Sequence, residues 1–461
     1  MRNKRFIFSI KNDTSEFLLN ESKRLKLSRA KLVQNILTDY KSQKVQGSTF
    51  NTISTFDQKI PDVPSLQELE NTPIEKLFYD YDVYHLLSYC ADLIKVNKSN
   101  EKLIYTYAQL QAFVGYYKDA ITLLQEIKNE TITKNLLLAR IFYSMGDAQS
   151  ANRYLIISQV LLNVSTSTKD EDELFIVTSC ECSWLCNGPF ECLQKVTTFW
   201  ENSKSYSTKT KGRLNLIKAV GCMDLNNFNE AEKLLQVSIT LLSQAQDFEY
   251  LCRAYSYFGF LYRDKGEMEL ALKYIEHARA LAFDYGNTMD HLVIQSHLAN
   301  IYLVMGNIDL SERLMQENLS ISKRIGSVKE EYFARYILMV AYIQKNDLKS
   351  SREIIDPWYS NDTWKQYRYC TDTWKGYLDS FDNYKKGINE IHKSKEEAYA
   401  HEKRHVFISE YLEGCRDISL PETKKKGVAI LQKLLDENEV SKCMKNSIQH
   451  FFLRMKNIYV V

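Results

Sequence analysis

Glycine and proline are scarce in this chain, 15 and 6 in 461 residues. A turn-dense all-β protein needs a punctuating residue roughly every ten positions, so the scarcity excludes one and favours a mostly helical chain. Long apolar runs are also missing. The stretch Ile337-Leu-Met-Val-Ala-Tyr-Ile343 is far below the roughly 20 residues that span a bilayer. The N-terminal run Phe6–Ile10 is shorter than the core of about 7–15 residues in a secretion signal. A cytoplasmic protein without membrane contact is therefore expected, with its 10 cysteines reduced. No G-x4-GK[ST], G-x-G-x-x-G or G-x-S-x-G motif occurs, so no nucleotide loop or hydrolase elbow is indicated. What is present, 44% hydrophobic and 26% charged residues, suffices for a folded core.

The net charge of +2 conceals an asymmetry. Residues 1–45 carry 11 Lys/Arg against 4 Asp/Glu, whereas the remaining 416 residues carry 49 against 54. A basic arm or small domain that meets a polyanion, joined to a body that does not, is the expectation. Within Arg5–Lys11, Phe6, Phe8 and Ile10 alternate with Arg5, Ile7 and Ser9, the period of a strand with one buried face. Two helical patterns follow. Asn12–Glu16 can cap the first, with Phe17, Leu18 and Leu25 on its stripe; Ser28 can cap the second, with Leu32, Val33, Ile36, Leu37 and Tyr40.

A lone strand leaves its backbone groups unpaired, and about 45 residues enclose too little core, so a homodimer with paired strands is expected. Such a two-stranded ribbon fits the DNA major groove. The segment from residue 4 to about 42 closely resembles the ribbon-helix-helix DNA-binding family, with KRFIFSI as strand and LKLSRAKLVQNILTDY as turn and second helix. The resemblance implies that Arg5, Ile7 and Ser9 face the bases of double-stranded DNA, with Lys4 and Lys11 in the same DNA-binding set. Ser28 and Arg29 would hold a phosphate at a helix N-terminus. Lys26 stands where the family often has Gly in the inter-helix turn. Residues 46–74 lose periodicity, contain three prolines and read as a linker.

From residue 75 the chain repeats. Gly259, Tyr262, Gly266 and Ala271 mark a helix pair of tetratricopeptide type. The marks return at forty-residue steps as Ala299, Tyr302, Gly306 and Ser311; as Met339, Tyr342, Asn346 and Ser351; and, upstream, as Ala219, Cys222, Asn226 and Ala231. Ala139, Phe142, Gly146 and Ala151 stand eighty residues before that last set, and Ala108, Gly115 and Ala120 form a sixth copy. Small residues let helices approach, the aromatic fills the gap, and Gly or Asn makes the turn. Residues 172–211 are in phase but degenerate, interrupted by Asn187-Gly188-Pro189, and read as a distorted repeat. The register fades after residue 357, leaving 376–461 as a helical cap or dimerisation region.

The expected fold is thus mainly α: an N-terminal ribbon-helix-helix unit followed by a right-handed α-solenoid of tetratricopeptide-like pairs over 75–375. The period exceeds the common value of about 34, which deepens the concave groove. By repeat position, the groove candidates on the first helices are Arg140, Tyr143, Arg213, Arg253, Ser256, Phe260, Arg263, Asn300, Leu303, Tyr336 and Gln344. Asn300 can both donate to and accept from a peptide backbone. The groove arginines suggest an acidic or carboxylate-bearing ligand.

Over residues 75–456 the architecture resembles the RRNPP class of peptide-pheromone receptors, which includes the arbitrium receptors. That resemblance implies a short signalling peptide in the groove and an N-terminal effector segment under its control. The usual effector of the class is a helix-turn-helix or a helical bundle, so the ribbon is a departure. The alternative is a scaffold whose repeats bind a partner protein, with the N-terminus as a dimerisation arm.

Two patterns mimic metal sites. His401-Glu402-Lys403-Arg404-His405 matches HExxH, but such helices are apolar around the motif, and here Lys and Arg fill its centre. Cys180, Cys182, Cys186 and Cys192 lack the paired C-x2–4-C spacing of a tetrahedral zinc site. Neither an enzyme nor a cofactor or metal is expected.

Overall fold

The computed structural model describes residues 64–458, apart from 73–76, 78–82, 202–204, 286–287, 360–367, 402 and 439. The strand, the ribbon-helix-helix unit and its candidates Lys4, Arg5, Ile7, Ser9, Lys11, Ser28 and Arg29 lie outside the described residues. The chain divides into two compact units, Met1–Thr106 and Tyr107–Val461.

In the first unit, α1 (Leu66–Asn71) starts at Ser65, whose Oγ accepts from Glu68 N at 3.2 Å. This one-turn helix falls in the stretch read as linker. Its signature, Ser followed three residues later by Glu, is local and carries no longer periodicity. Helices α2 (Val83–Val96) and α3 (Glu101–Phe113) follow, α3 running in sequence past the boundary at Thr106. Thr106 Oγ1 donates to Leu69 O at 3.3 Å and ties α3 to α1.

In the second unit, α4 (Tyr117–Glu126) precedes six helix pairs. They are α5 (Ile132–Met145) with α6 (Ala148–Val164), α7 (Lys169–Asn187) with α8 (Pro189–Trp200), and α9 (Thr208–Asp224) with α10 (Phe228–Gln244). Then come α11 (Phe248–Asp264) with α12 (Met268–Tyr285), α13 (Thr288–Val304) with α14 (Ile308–Ile325), and α15 (Val328–Gln344) with α16 (Leu348–Tyr359). Helices α17 (Arg368–Asp379), α18 (Tyr384–His401), α19 (Lys403–Ile418), α20 (Lys424–Asp436) and α21 (Lys442–Ile458) complete the chain. This is a mainly helical, tetratricopeptide-like array of helix pairs.

The repeat marks do the work expected of them. Asn226, Gly266, Gly306 and Asn346 have φ of 59°, 76°, 81° and 61°, the left-handed region that Gly enters freely and Asn tolerates best among other residues. The closing bonds recur with them: Glu267 N to Tyr262 O and Asn307 N to Tyr302 O at 2.8 Å, and Asp347 N to Tyr342 O at 2.9 Å. A Cβ on Gly259 would meet Ala271 O at 2.9 Å, so only glycine permits this approach of α11 and α12. The aromatic mark stacks across the pair, Tyr262 on Tyr274 at 5.4 Å and Phe142 on Tyr154 at 5.5 Å.

Residues 172–211 hold a distorted pair, with Asn187-Gly188-Pro189 as its turn: Gly188 has φ 90° and Pro189 opens α8 at a position needing no N–H. The turn comes two residues later than the register demands. Beyond residue 357, the turn between α17 and α18 spans residues 380–383, short of the position forty residues after Asn346.

Six first helices, α5, α7, α9, α11, α13 and α15, pack in succession, and α15 returns against α5. Ser327 Oγ donates to Ser144 O at 2.9 Å across that contact, and Thr288 Oγ1 donates to Val114 O at 2.9 Å nearby. The second unit therefore curls until its sixth first helix meets its first, and residues far apart in sequence share one inner face.

Gly259→Val should destabilise the fold by about 2–3 kcal/mol, since the clash is with backbone rather than a mobile side-chain end. Gly306→Ala, with no atom within 4 Å of the new Cβ but φ 81°, should cost only about 1 kcal/mol. Urea unfolding of the two variants beside the parent chain checks the ranking.

Candidate functional site

The inner face carries two polar clusters. The first centres on Arg253 of α11. Its Nε donates to Asp290 Oδ1 on α13 at 2.6 Å and its Nη2 to Glu249 Oε1 at 2.7 Å; its Nη1 lies 3.6 Å from Glu181 Oε1 on α7. Arg140 of α5 reaches the same Glu249 oxygen at 3.1 Å. Tyr250 donates its hydroxyl to Glu181 at 2.7 Å, and its ring lies under the guanidinium groups of Arg213 at 4.0 Å and Arg253 at 4.6 Å. Arg213 itself bonds Asp247 Oδ2 at 2.6 Å. The Lys329 ammonium of α15 sits 5.0 Å from the Tyr143 ring centre and 5.5 Å from that of Trp184, which donates to Asp224 Oδ2 at 2.7 Å.

Electrostatics follow this geometry. Burial opposes ionisation of Glu249, but Arg253, Arg140 and Arg213 outweigh it and hold the carboxyl well below its usual range. Burial pushes Asp290 up despite Arg253, with Glu249 adding repulsion. Glu330, on the first turn of α15, is raised by burial and by Asp290, although Lys329 opposes this.

The second cluster joins α11 and α13. Ser256 Oγ and His297 Nδ1 are hydrogen-bonded at 2.7 Å, and the His297 ring packs on Phe260 at 4.6 Å and Tyr257 at 5.3 Å. Arg263 lies 3.6 Å over Phe260, donates to Asn300 Oδ1 at 2.6 Å and clasps Asp264. Burial, then Arg263, push His297 down to about 3.

Of the eleven groove candidates, Arg140, Tyr143, Arg213 and Arg253 meet in the first cluster, and Ser256, Phe260, Arg263 and Asn300 in the second. Leu303 is corrected: it packs into the core with Met315 and Ala334, because position 303 lies on the α13 face that meets the next pair. Tyr336 accepts from Trp374 Nε1 at 3.2 Å, turned toward α17, and Gln344 is exposed at the end of α15. The reading of repeat positions missed Glu181, Glu249, Tyr250, Asp290, His297, Lys329 and Glu330. The signal was present: Tyr250, Asp290 and Glu330 stand forty residues apart, as do Tyr257 and His297. Asn300 offers its oxygen to Arg263 rather than holding it open.

The side chains of His401 and His405 lie outside the described residues. Cys180, Cys182 and Cys192 are buried thiols, Cys192 donating to Cys180 O at 3.3 Å. Among the described residues no group of His, Cys, Asp and Glu is arranged to hold a metal ion, and no helix is long and apolar enough to cross a membrane.

No protein-family model matches the chain, and no curated protein sequence matches it. Solved structures do. A Rap protein complexed with competence and sporulation factor aligns with a TM-score of 0.50 at 10% identity, over 71% of this chain and 97% of the other. A chain of the APC/C hetero-tetramer Cut9–Hcn1 aligns with a TM-score of 0.50 at 12% identity, over 72% of this chain but only 60% of the other. NprR in complex with its cognate peptide NprX aligns at 14% identity with a TM-score of 0.47. At such identities the likeness establishes the helix-pair fold.

His297 gives the fold a pH dependence of definite sign. Its folded value is depressed below the usual value of about 6.5, so the unfolded chain binds the extra proton between about pH 3 and 6.5. His297 should therefore contribute a rise in stability with pH across that window, approaching about 1.4 kcal/mol per pH unit for one proton, against the opposite contribution of Asp290, whose raised value of about 6 makes the folded chain bind the extra proton. His297→Gln should flatten this slope; urea midpoints at several pH values measure it.

Proposed function

We propose that this chain is a DNA-binding regulator controlled by a short peptide. The inner face of the second unit receives the peptide, and residues 1–45 bind double-stranded DNA as a homodimer through Lys4, Arg5, Ile7, Ser9, Lys11, Ser28 and Arg29. The observation that carries the peptide half is the inner face: six first helices bring side chains from Arg140 to Glu330 onto one polar, aromatic-lined surface. Arg140 and Arg253 keep 29% and 22% of their side-chain surface accessible, so ligand atoms can reach them. The fold shared with a Rap protein complexed with competence and sporulation factor supports this reading. The DNA half rests on the basic, ribbon-like N-terminus. Coupling requires the peptide to prefer one arrangement of the dimer over another.

A second reading has one observation in its favour, the equal likeness to a chain solved within the Cut9–Hcn1 hetero-tetramer. In that reading the inner face holds a partner protein and the N-terminus is a dimerisation arm.

Binding to DNA from the gene's own upstream region should be tight and should weaken by about 10³-fold or more between 50 and 200 mM salt if each dimer makes six or more phosphate contacts. Arg5→Ala/Ser9→Ala should erase sequence preference while leaving a salt-dependent residue of binding. If parent and variant alike prefer no DNA, the regulator reading fails and the scaffold reading stands.

A further inference from the structure

The arginines of the inner face suggest an acidic ligand when read one at a time. Their pairing reverses that conclusion. Arg140 is taken by Glu249, Arg213 by Asp247, Arg253 by Asp290 and Glu249, and Arg263 by Asp264 and Asn300. None is left without a resident partner. Around the first cluster, the four cations Arg140, Arg213, Arg253 and Lys329 face the five carboxylates Glu181, Asp247, Glu249, Asp290 and Glu330. The surplus is negative.

It is concentrated at Glu330. Only 2% of this residue is exposed, and its Oε1 has no hydrogen-bond partner. Lys329 is 4.0 Å away, outside hydrogen-bonding distance, and its ammonium is directed over the rings of Tyr143 and Trp184. A buried carboxylate oxygen left unmatched is destabilising, and an incoming donor would recover that loss. Asp290 stands one repeat earlier, on the adjacent inner helix, and its charge raises Glu330 further.

We infer that the inner face selects a peptide with a Lys or Arg side chain and seats that cationic group against Glu330 beside Asp290. The inference rests on the peptide-receptor reading and fixes the charge of the ligand. A cation there brings the cluster to balance and supplies the donor that Glu330 lacks; a carboxylate-bearing ligand would have to displace a resident acid from an arginine.

The test uses the full chain and three pools of short random peptides, labelled at their C-termini so that the amine stays free. One position is fixed as Arg or Lys in the first pool, as Asp or Glu in the second and as Ser in the third, and binding is read by fluorescence polarisation. The first pool should bind about tenfold more tightly than the second, and Glu330→Gln and Asp290→Asn should each reduce that preference. Thermal melting shows whether the variants fold, and the ranking of pools on the parent chain stands without them. Preference for the acidic or serine pool overturns the cation assignment and leaves the peptide-receptor reading intact. A cationic preference unchanged in both folded variants places recognition elsewhere and overturns the assignment to Glu330. Binding by no pool removes the peptide reading and this inference together.

Discussion

Arg253 is the residue on which the inner face depends. Its guanidinium bonds Glu249 on its own helix and Asp290 on the next inner helix, and stands by Glu181 on α7, while Glu249 in turn holds Arg140 on α5. Four inner helices thus meet through one planar cation whose fork can serve several carboxylates at once, which a lysine could not do. Taking such charges out of water is costly, and they are tolerated because each meets an opposite charge at bonding distance. The contact between α5 and α15 closes the curl around this cluster.

The repeat supplies the geometry for that convergence. One helix pair buries little surface, but stacked pairs present successive first helices side by side at a fixed offset. Positions forty residues apart become a column on the inner face, as Tyr250, Asp290 and Glu330 show. Left-handed Asn and Gly at the turns and the bare Cα of Gly259 set the spacing within pairs. The polar column is then free to vary, and it is where a ligand would be read.

The regular part of this fold was legible because each mark has a local cause: a positive φ, a close approach, a stacked ring. Gly266, Gly259 and Tyr262 could be assigned without knowing what they touch. The pair α7/α8 read as distorted because its turn is displaced by two residues, and α17 with α18 fell out of register because Gly376 and the turn after it stand off the forty-residue step. The inner face was half legible. The positions of Arg140, Arg253 and Arg263 followed from the register, but their partners did not, since Arg253 meets Asp290 across 37 residues and Arg140 meets Glu249 across 109. Charge sign read without pairing pointed to an acidic ligand, whereas the paired network leaves a carboxylate in surplus.

The most direct test of the central role of Arg253 is a double-mutant cycle with Asp290, using Arg253→Met, Asp290→Asn and the double variant in urea unfolding. Each single change strands a buried partner, so the two losses should overlap and give a coupling energy above about 1.5 kcal/mol. Losses that add within about 0.5 kcal/mol would contradict the account, because the inner helices would then be held together by their apolar packing alone.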